Sequence, residues 1–408
     1  MANLLYLTQR LPYPPIKGEK IRPLQILKYL AQSFDVYVGC LIDDPSDAQH
    51  IPTIAALAKD IHVASMDRRL NRITCLTGLM TGESLSVTFF RDRGLSRWVR
   101  NVVETVRPEV IFVNSGNMAP YILDLPRTGL RLTDLADVDS EKWRAYAETT
   151  PGPMRFVYRR EWRKVAALER RIATECDLSS FVSEPEAALF RTQHPDCADR
   201  IRGVSSGVDH RYFDPGHGFA PVYDITRPNF VFTGTMDYKP NIDAVVWFAR
   251  DILKLIRRDL PQAQFHIVGN APAPEVQRLA GEPGVFVTGR VPDVRPYVAH
   301  ATAGVAPMLI ARGIQNKVLE AMSLARPTVV TTGALEGIAA RPGREVVLAD
   351  TADDFAAACI SLARDGDRLG IGAAARSRIL EHYDWAATLR GFDDILHPQR
   401  APAFAGLP

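Results

Sequence analysis

Short, continuously apolar runs alternate with amphipathic stretches along almost the whole chain. In the first half, residues 3–8, 35–42, 61–66, 110–115, 131–137, 178–183 and 202–206 read as strands, and 21–33 and 94–106 repeat apolar residues at helical spacing. The second half repeats the pattern, with strands at 229–235, 264–269, 285–289, 304–308, 328–332 and 346–349. Its helices fall at 241–260, 315–324 and 352–363. Such alternation implies parallel sheets covered by helices on both faces. Most of the strand runs are apolar throughout, as strands buried on both faces are. Residues 209–228 hold Gly, Pro and His in place of a period and mark a boundary. The expected fold is α/β, with Rossmann-like domains at 1–208 and 229–380, a linker at 209–228, a helix at 381–397 and a Pro/Ala-rich tail at 398–408. Ligands of such sheets sit beyond the carboxyl ends of the strands, so two facing domains would share a cleft.

Composition narrows the class. A chain of 408 residues exceeds what one core usually spans, and an apolar fraction of 46% gives each half enough to bury. A net charge of +2 argues against a general nucleic-acid binder. Five scattered cysteines, without metal-like spacing, fit a reducing compartment. The first residues show no leader pattern, and no window reaches the ~18 apolar residues of a membrane span. The expectation is a cytoplasmic protein, with room for contact at the inner face of a plasma membrane. The fingerprints of dinucleotide sites, P-loops, nucleophile elbows and HExxH zinc sites are all missing from the sequence.

The most informative run is 312–330, which reads as a glycine loop, a short helix, a proline stop and a β-branched strand. Lys317 and Glu320, three residues apart, lie near the helix N-terminus. Unpaired N–H groups and the helix dipole suit a phosphate there. A lysine adds a cation, and a carboxylate one turn on can accept hydrogen bonds from a vicinal diol. Phosphate plus diol describes a nucleotide. The competing reading is an ordinary Lys–Glu pair on a helix surface.

Several fragments in order resemble the family 4 retaining glycosyltransferases, which have the GT-B fold. They are Pro12-Tyr-Pro-Pro-Ile-Lys-Gly-Glu-Lys-Ile-Arg22, Phe181-Val-Ser-Glu-Pro-Glu-Ala-Ala-Leu-Phe190 and Gly207-Val-Asp-His-Arg-Tyr-Phe-Asp-Pro215. Phe232-Thr-Gly-Thr-Met-Asp-Tyr-Lys-Pro-Asn-Ile-Asp243, Phe265-His-Ile-Val-Gly269 and Val287-Thr-Gly-Arg-Val291 follow. Segments 12–22, 132–143 and 312–322 look most like the exopolysaccharide sugar transferases that accompany PEP-CTERM/exosortase systems. The resemblance implies transfer of a sugar from a nucleoside diphosphate sugar to a saccharide or polyprenyl-linked acceptor, with retention and no metal or other cofactor. It also implies that helix 381–397 crosses back to the first domain.

Carried over residue by residue, Glu320 matches the second glutamate of the family's Glu-x7-Glu motif, which binds the donor ribose. The first glutamate falls on Arg312, which exchanges an acceptor for sugar hydroxyls for a fixed cation. Backbone around Gly313, Ile314 and Gln315 would still reach sugar or phosphate. Gly18, Gly234, Gly289, Arg290 and Val291 fall in segments that line the family's donor site. The arginine and lysine that usually open the second domain are represented only by Thr235 and Lys239. Lys317, helped by Arg312, is therefore the expected neutraliser of the leaving diphosphate.

The family often places a histidine in the first domain near the reacting centre, and none of the nine here fits. Asp134, Asp137 and Asp139 follow or end a strand there; one of them orients or deprotonates the acceptor hydroxyl, or Asp137 or Asp139 simply caps the next helix. Asp137-Val-Asp139 also spells a metal motif, but of a single-domain architecture that this chain does not have. Residues 154–173 form a basic amphipathic helix, with Tyr158, Trp162, Val165, Leu168 and Ile172 opposite Arg159, Arg160, Arg163, Lys164, Arg170 and Arg171. Its apolar face can pack on the sheet while the basic arc approaches anionic lipid. Two rival functions stay open: a sugar-nucleotide epimerase or hydrolase, and a catalytically silent nucleotide-sugar-binding module.

Overall fold

Parallel pairing governs both halves of the chain. The computed structural model describes residues 1–15, 18–309, 313–367 and 369–397. In the first sheet β1 (Ala2–Thr8) lies between β2 (Phe34–Ile42) and β4 (Val110–Asn114). With β3 (Asp60–Ser65), β5 (Leu130–Ala136), β6 (Leu178–Phe181) and β7 (Ile201–Gly203), the order is β3-β2-β1-β4-β5-β6-β7. The second sheet holds β8 (Asn229–Thr233), β9 (Gln264–Val268), β10 (Val285–Gly289), β11 (Ala303–Ala306), β12 (Thr328–Val330) and β13 (Val347–Leu348). Its order, β10-β9-β8-β11-β12-β13, repeats the first. Each order runs outward through three strands and then reverses, beside β1 and beside β8. At such a reversal the connections leave toward opposite faces and open a crevice at the strands' carboxyl ends. The strands expected from the apolar runs are all present, most a residue or two shorter at their ends.

The chain divides into two units, Met1–Ser205 with the segment from Leu389 onward, and Ser206–Thr388. Each has its own core. Leu5, Leu7, Ile111 and Val113 centre the first, and Phe230, Phe232, Phe248 and Phe265 the second; all are fully buried. Burying one such side chain contributes roughly 1.5–3 kcal/mol, which explains why strand runs without any polar alternation still locate correctly.

Two boundaries and the interior of one helix differ from expectation. Residues 209–228, expected to be a linker, belong to the second unit. The Phe213 carbonyl accepts from Ser323 Oγ at 3.0 Å, and Tyr223 stacks on His266 with centroids 4.4 Å apart. The segment lacks a period because its backbone is irregular, yet its aromatics are packed. The helix expected at 241–260 is present as one continuous run, Lys239–Asp259, whose middle turn, Phe248–Ile252, is π-helical. The return to the first unit starts at Leu389 rather than 381, and Phe392 docks edge-on against Phe112 at 5.3 Å. The expected tail at 398–408 lies outside the described residues. No described helix is long and apolar enough to cross a membrane.

One buried ion pair ties the first unit together. Arg22, on the helix Gly18–Leu30 that follows β1, meets Asp134 on β5 with two parallel bonds of 2.8 Å. The same carboxylate accepts from Asn114 of β4 at 2.9 Å and Ser180 of β6 at 2.7 Å. Three adjacent strands and one helix thus meet at a carboxylate with no solvent exposure. Removing one partner of such a pair leaves the other charge buried and uncompensated. Asp134→Asn is therefore expected to cost the first unit about 3–5 kcal/mol, read as an earlier urea transition. An unchanged midpoint would contradict this role.

Candidate active site

The second unit's site grows from the reversal at β8 and β11. Three adjacent strands end in glycine. Gly234 follows β8, Gly269 follows β9 and Gly289 closes β10, where its φ of 67° favours glycine. Gly269 is obligatory for another reason: a Cβ there would stand 1.7 Å from the Gly234 carbonyl oxygen. Arg290, beyond Gly289, is exposed, while Val291 is half-buried against the core.

The helix Asn316–Ser323 enters from a loop whose Gly313 is buried with φ of 65°. Val318, Leu319, Ala321 and Met322 bury its inner face, and Ile314 packs against the same core. That packing fixes where Lys317 can point. Its ammonium donates to Asn241 Oδ1 at 3.1 Å and Gln315 Oε1 at 3.2 Å, and it sits 4.7 Å above the Phe232 ring. Met308 Sδ lies 3.9 Å away. Asn241 is itself held by donating to the Thr235 carbonyl at 2.9 Å. Lys317 also borders a small cavity with Thr233, Ala306 and Ala321.

No salt bridge joins Lys317 to Glu320 or to any other carboxylate among the described residues, so the surface-pair reading fails. Burial pushes the Lys317 ammonium down to about 8, against a smaller upward pull from Glu320. Burial raises the Glu320 carboxyl to about 7, with Lys317 pulling it down. Among the described residues no hydrogen bond reaches the Glu320 carboxylate. A half-buried cation and a half-buried carboxylate thus lie near each other without a salt bridge between them, a pattern common at ligand sites. Tyr212 is near enough for Glu320 to raise its phenol, after burial and Asp293, and Arg295 stacks 3.7 Å over its ring.

Other expected donor residues are placed differently. Lys239 is exposed and engaged by Asp243 one turn along its own helix. Arg312 lies outside the described residues, and so does the cation it was expected to supply. Sequence reasoning missed Asn241, Gly269, Met308 and Phe232. Asn241 alone gave a signal: an amide among the apolar positions of a helix that opens right after a strand.

In the first unit, Gly18 is the exposed first residue of its helix, two residues before Lys20, which pairs with Asp47 at 2.6 Å. The three aspartates separate. Asp134, sealed by Arg22, Asn114 and Ser180, is a structural anchor and not a catalytic candidate. Asp137 and Asp139 do not cap the helix Asp139–Thr149, because that work is done from outside. Glu186 accepts from the Val138 amide at 3.0 Å and Glu169 from the Ser140 amide at 3.1 Å. Asp137 keeps a buried Oδ1 without a hydrogen-bond partner among the described residues. Burial, then Glu186 and Asp139, push its carboxyl up to about 7. Burial also raises Asp139, and takes Glu169 to about 8. Asp137 thus differs from Asp134 in keeping a carboxylate oxygen without a hydrogen-bond partner among the described residues. Among the described residues no group of three His, Cys, Asp or Glu side chains is arranged to hold a metal.

The Glu320 carboxyl binds its proton more tightly in the folded chain than its ordinary 4.5, so its contribution to stability is present below that value and is lost as pH rises through about 7. Glu320→Gln is expected to stabilise the second unit above pH 7 by on the order of 2 kcal/mol, and to change little near pH 4.5. Thermal melts across that range check both limbs.

Comparison with known proteins follows the same division. Residues 227–365, within the second unit, match the family described as glycosyl transferases group 1. No curated protein matches the chain significantly. Among solved structures, sucrose-phosphate synthase from Thermosynechococcus elongatus aligns over 97% of this chain and 99% of its own, with a TM-score of 0.69 and 15% identity. Anabaena HepE in complex with UDP aligns over 97% and 100%, with a TM-score of 0.65 and 14% identity. TarM aligns over 97% and 99%, with a TM-score of 0.67 and 12% identity. At these identities the likeness is one of fold. The chain thus shares the two-unit Rossmann-like GT-B fold of these structures, and residues 227–365 of its second unit match glycosyl transferases group 1.

Proposed function

We propose that the protein is a retaining glycosyltransferase that takes its sugar from a nucleoside diphosphate sugar. The observation that carries this reading is the Lys317–Glu320 arrangement at the carboxyl end of a parallel sheet. Diphosphate charge is met by the Lys317 ammonium and the helix N-terminus, and the ribose diol by Glu320. Departure of the diphosphate concentrates negative charge beside Lys317, so the lysine is worth more in the transition state than in the ground state. Asn241 and Gln315 hold the ammonium in place before the donor arrives. Asp137 would accept the hydrogen of the attacking hydroxyl, and no metal is required for these roles. Gly313, Ile314 and Gln315 would supply the loop around the sugar, and Gly234, Gly289, Arg290 and Val291 the rest of the donor wall, with Gly18 on the acceptor side.

Two solved neighbours bear on the donor and acceptor. HepE has been crystallised with UDP-glucose, and a point mutant of S. aureus TarM with fondaparinux, α-GlcNAc-glycerol and UDP. These support a uridine donor as the first to test and a saccharide acceptor. The sequence resemblance supports family 4, a polyprenyl-linked acceptor and a role in exopolysaccharide synthesis beside a PEP-CTERM system, at the inner face of the plasma membrane.

Calorimetry with UDP and a panel of UDP-sugars, followed by acceptor trials, tests the reading. Lys317→Ala is expected to lower turnover about 100-fold or more while leaving the melting temperature near the parent's. Turnover within a few-fold of the parent would remove Lys317 from the mechanism, and sugar release or isomerisation without acceptor would replace transfer by hydrolysis or epimerisation. UDP affinity should weaken as pH rises through about 8, where the free enzyme's Lys317 loses its proton. Lys317→Arg should abolish that limb.

A further inference from the structure

The region between β3 and the helix Arg93–Thr105 inverts the usual helix pattern. The helices Arg68–Thr74 and Thr77–Thr81 bury no side chain, and only Gly78 is buried in either. Their apolar residues, and Leu76 between them, are the exposed ones: Leu70 is 57% exposed, Ile73 68%, Leu76 52%, Leu79 51% and Met80 91%. A helix of a water-soluble surface turns such residues inward.

The segment is nevertheless firmly seated, by polar groups. Asn71 donates to the Phe89 carbonyl at 2.7 Å, and Thr88 Oγ1 donates to the Cys75 carbonyl at 2.9 Å. Arg160, on the helix Met154–Glu175, donates to the carbonyls of Gly78 and Glu83 at 2.6 and 2.8 Å. The backbone faces the protein and the apolar side chains face out.

Charge surrounds this patch with one dominant sign. Arg69 and Arg72 are exposed on it, and neither makes an ion pair among the described residues. On the adjoining helix, Phe156, Arg160 and Lys164 are spaced one turn apart and share a face. Arg160 reaches the segment directly, and Lys164 Nζ lies 3.8 Å from a Cβ built on Gly82. Phe156, 72% exposed, lies one turn before Arg160 on that face, and Arg155, Arg159 and Arg163 are exposed on the same helix. The nearby acids are few: Asp67 is occupied in capping its helix, and Glu83 is bound by Arg91. Of the basic arc read from the sequence, Arg160 is paired with Glu161, Arg170 with Asp196, and Arg171 with Asp124 and Glu175, which leaves Arg159, Arg163 and Lys164 without an ion pair among the described residues.

We propose that residues 70–80, with Phe156 and the surrounding arginines, form a docking surface for an anionic phospholipid bilayer. Exposed leucine, isoleucine, methionine and phenylalanine enter the headgroup–acyl boundary, and the cations meet lipid phosphates. The inference deepens the acceptor side of the proposed function, since a lipid-linked saccharide is met at such a boundary, but it rests on different residues from the donor site.

Co-sedimentation of the full chain with vesicles tests it, using phosphatidylcholine alone and phosphatidylcholine mixed equally with phosphatidylglycerol. The parent is expected to pellet with the anionic vesicles and to be released by high salt. Combined Leu76→Ser, Leu79→Ser and Met80→Ser should weaken that binding about tenfold or more with an unchanged melting temperature, because those side chains touch solvent. Arg69→Glu with Arg72→Glu should remove roughly tenfold of the preference for anionic lipid. UDP binding, measured in parallel, should be unaffected in every variant, which separates failure of docking from failure of the donor reading. A parent that stays in the supernatant overturns the proposal. So does a serine variant that pellets like the parent, or one whose only change is the loss of a dimer in gel filtration.

Discussion

Reversal of strand order within a parallel sheet is the constraint on which the site depends. All pairing in both sheets is parallel, so each strand must be followed by a crossover that returns to the same end. Where the order turns back, at β8 and β11, successive crossovers leave on opposite faces, and the carboxyl ends between them are left without a covering element. Phe232 of β8, Met308 after β11 and Asn241 of the intervening helix reach the same point from three directions. Lys317 is delivered to that point by a helix whose opposite face is locked into the core.

The two units treat buried charge in opposite ways. In the first, Asp134 is neutralised by a bidentate arginine and saturated by two further donors, so the charge is consumed in joining strands. In the second, Lys317 receives only neutral acceptors and an aromatic face, and Glu320 stays without hydrogen-bond partners among the described residues. The first arrangement stabilises a fold, while the second holds charge in readiness at a cost in stability. Burial pushes both groups toward neutrality, Lys317 down to about 8 and Glu320 up to about 7, each against a smaller opposing pull from the other. A bound diphosphate and diol would supply the interactions that the protein withholds.

The same reasoning, applied to apolar groups, distinguishes the surface at residues 70–80 from an ordinary exterior. Scattered exposed leucines are common, but here they cluster on helices that bury almost nothing, with cations around them. The backbone of this segment is satisfied by the protein and its side chains are left unsatisfied by water.

The sequence by itself determined the α/β class, the strand positions and the short helix that carries Lys317 and Glu320. Continuous apolar runs and helical spacing are local signals, and burial on both faces of a sheet writes them directly into the chain. It misjudged the segment 209–228 because packed but irregular backbone leaves no period, and it treated Asp134, Asp137 and Asp139 as equivalent because their spacing is all a sequence shows. Only the tertiary structure decided that Asp134 belongs to Arg22, 112 residues away, and that Asp137 keeps an unpartnered oxygen. It likewise decided that Lys317 turns toward Asn241 rather than Glu320. Partners for a charge are chosen by which elements the sheet brings together, and that choice is non-local.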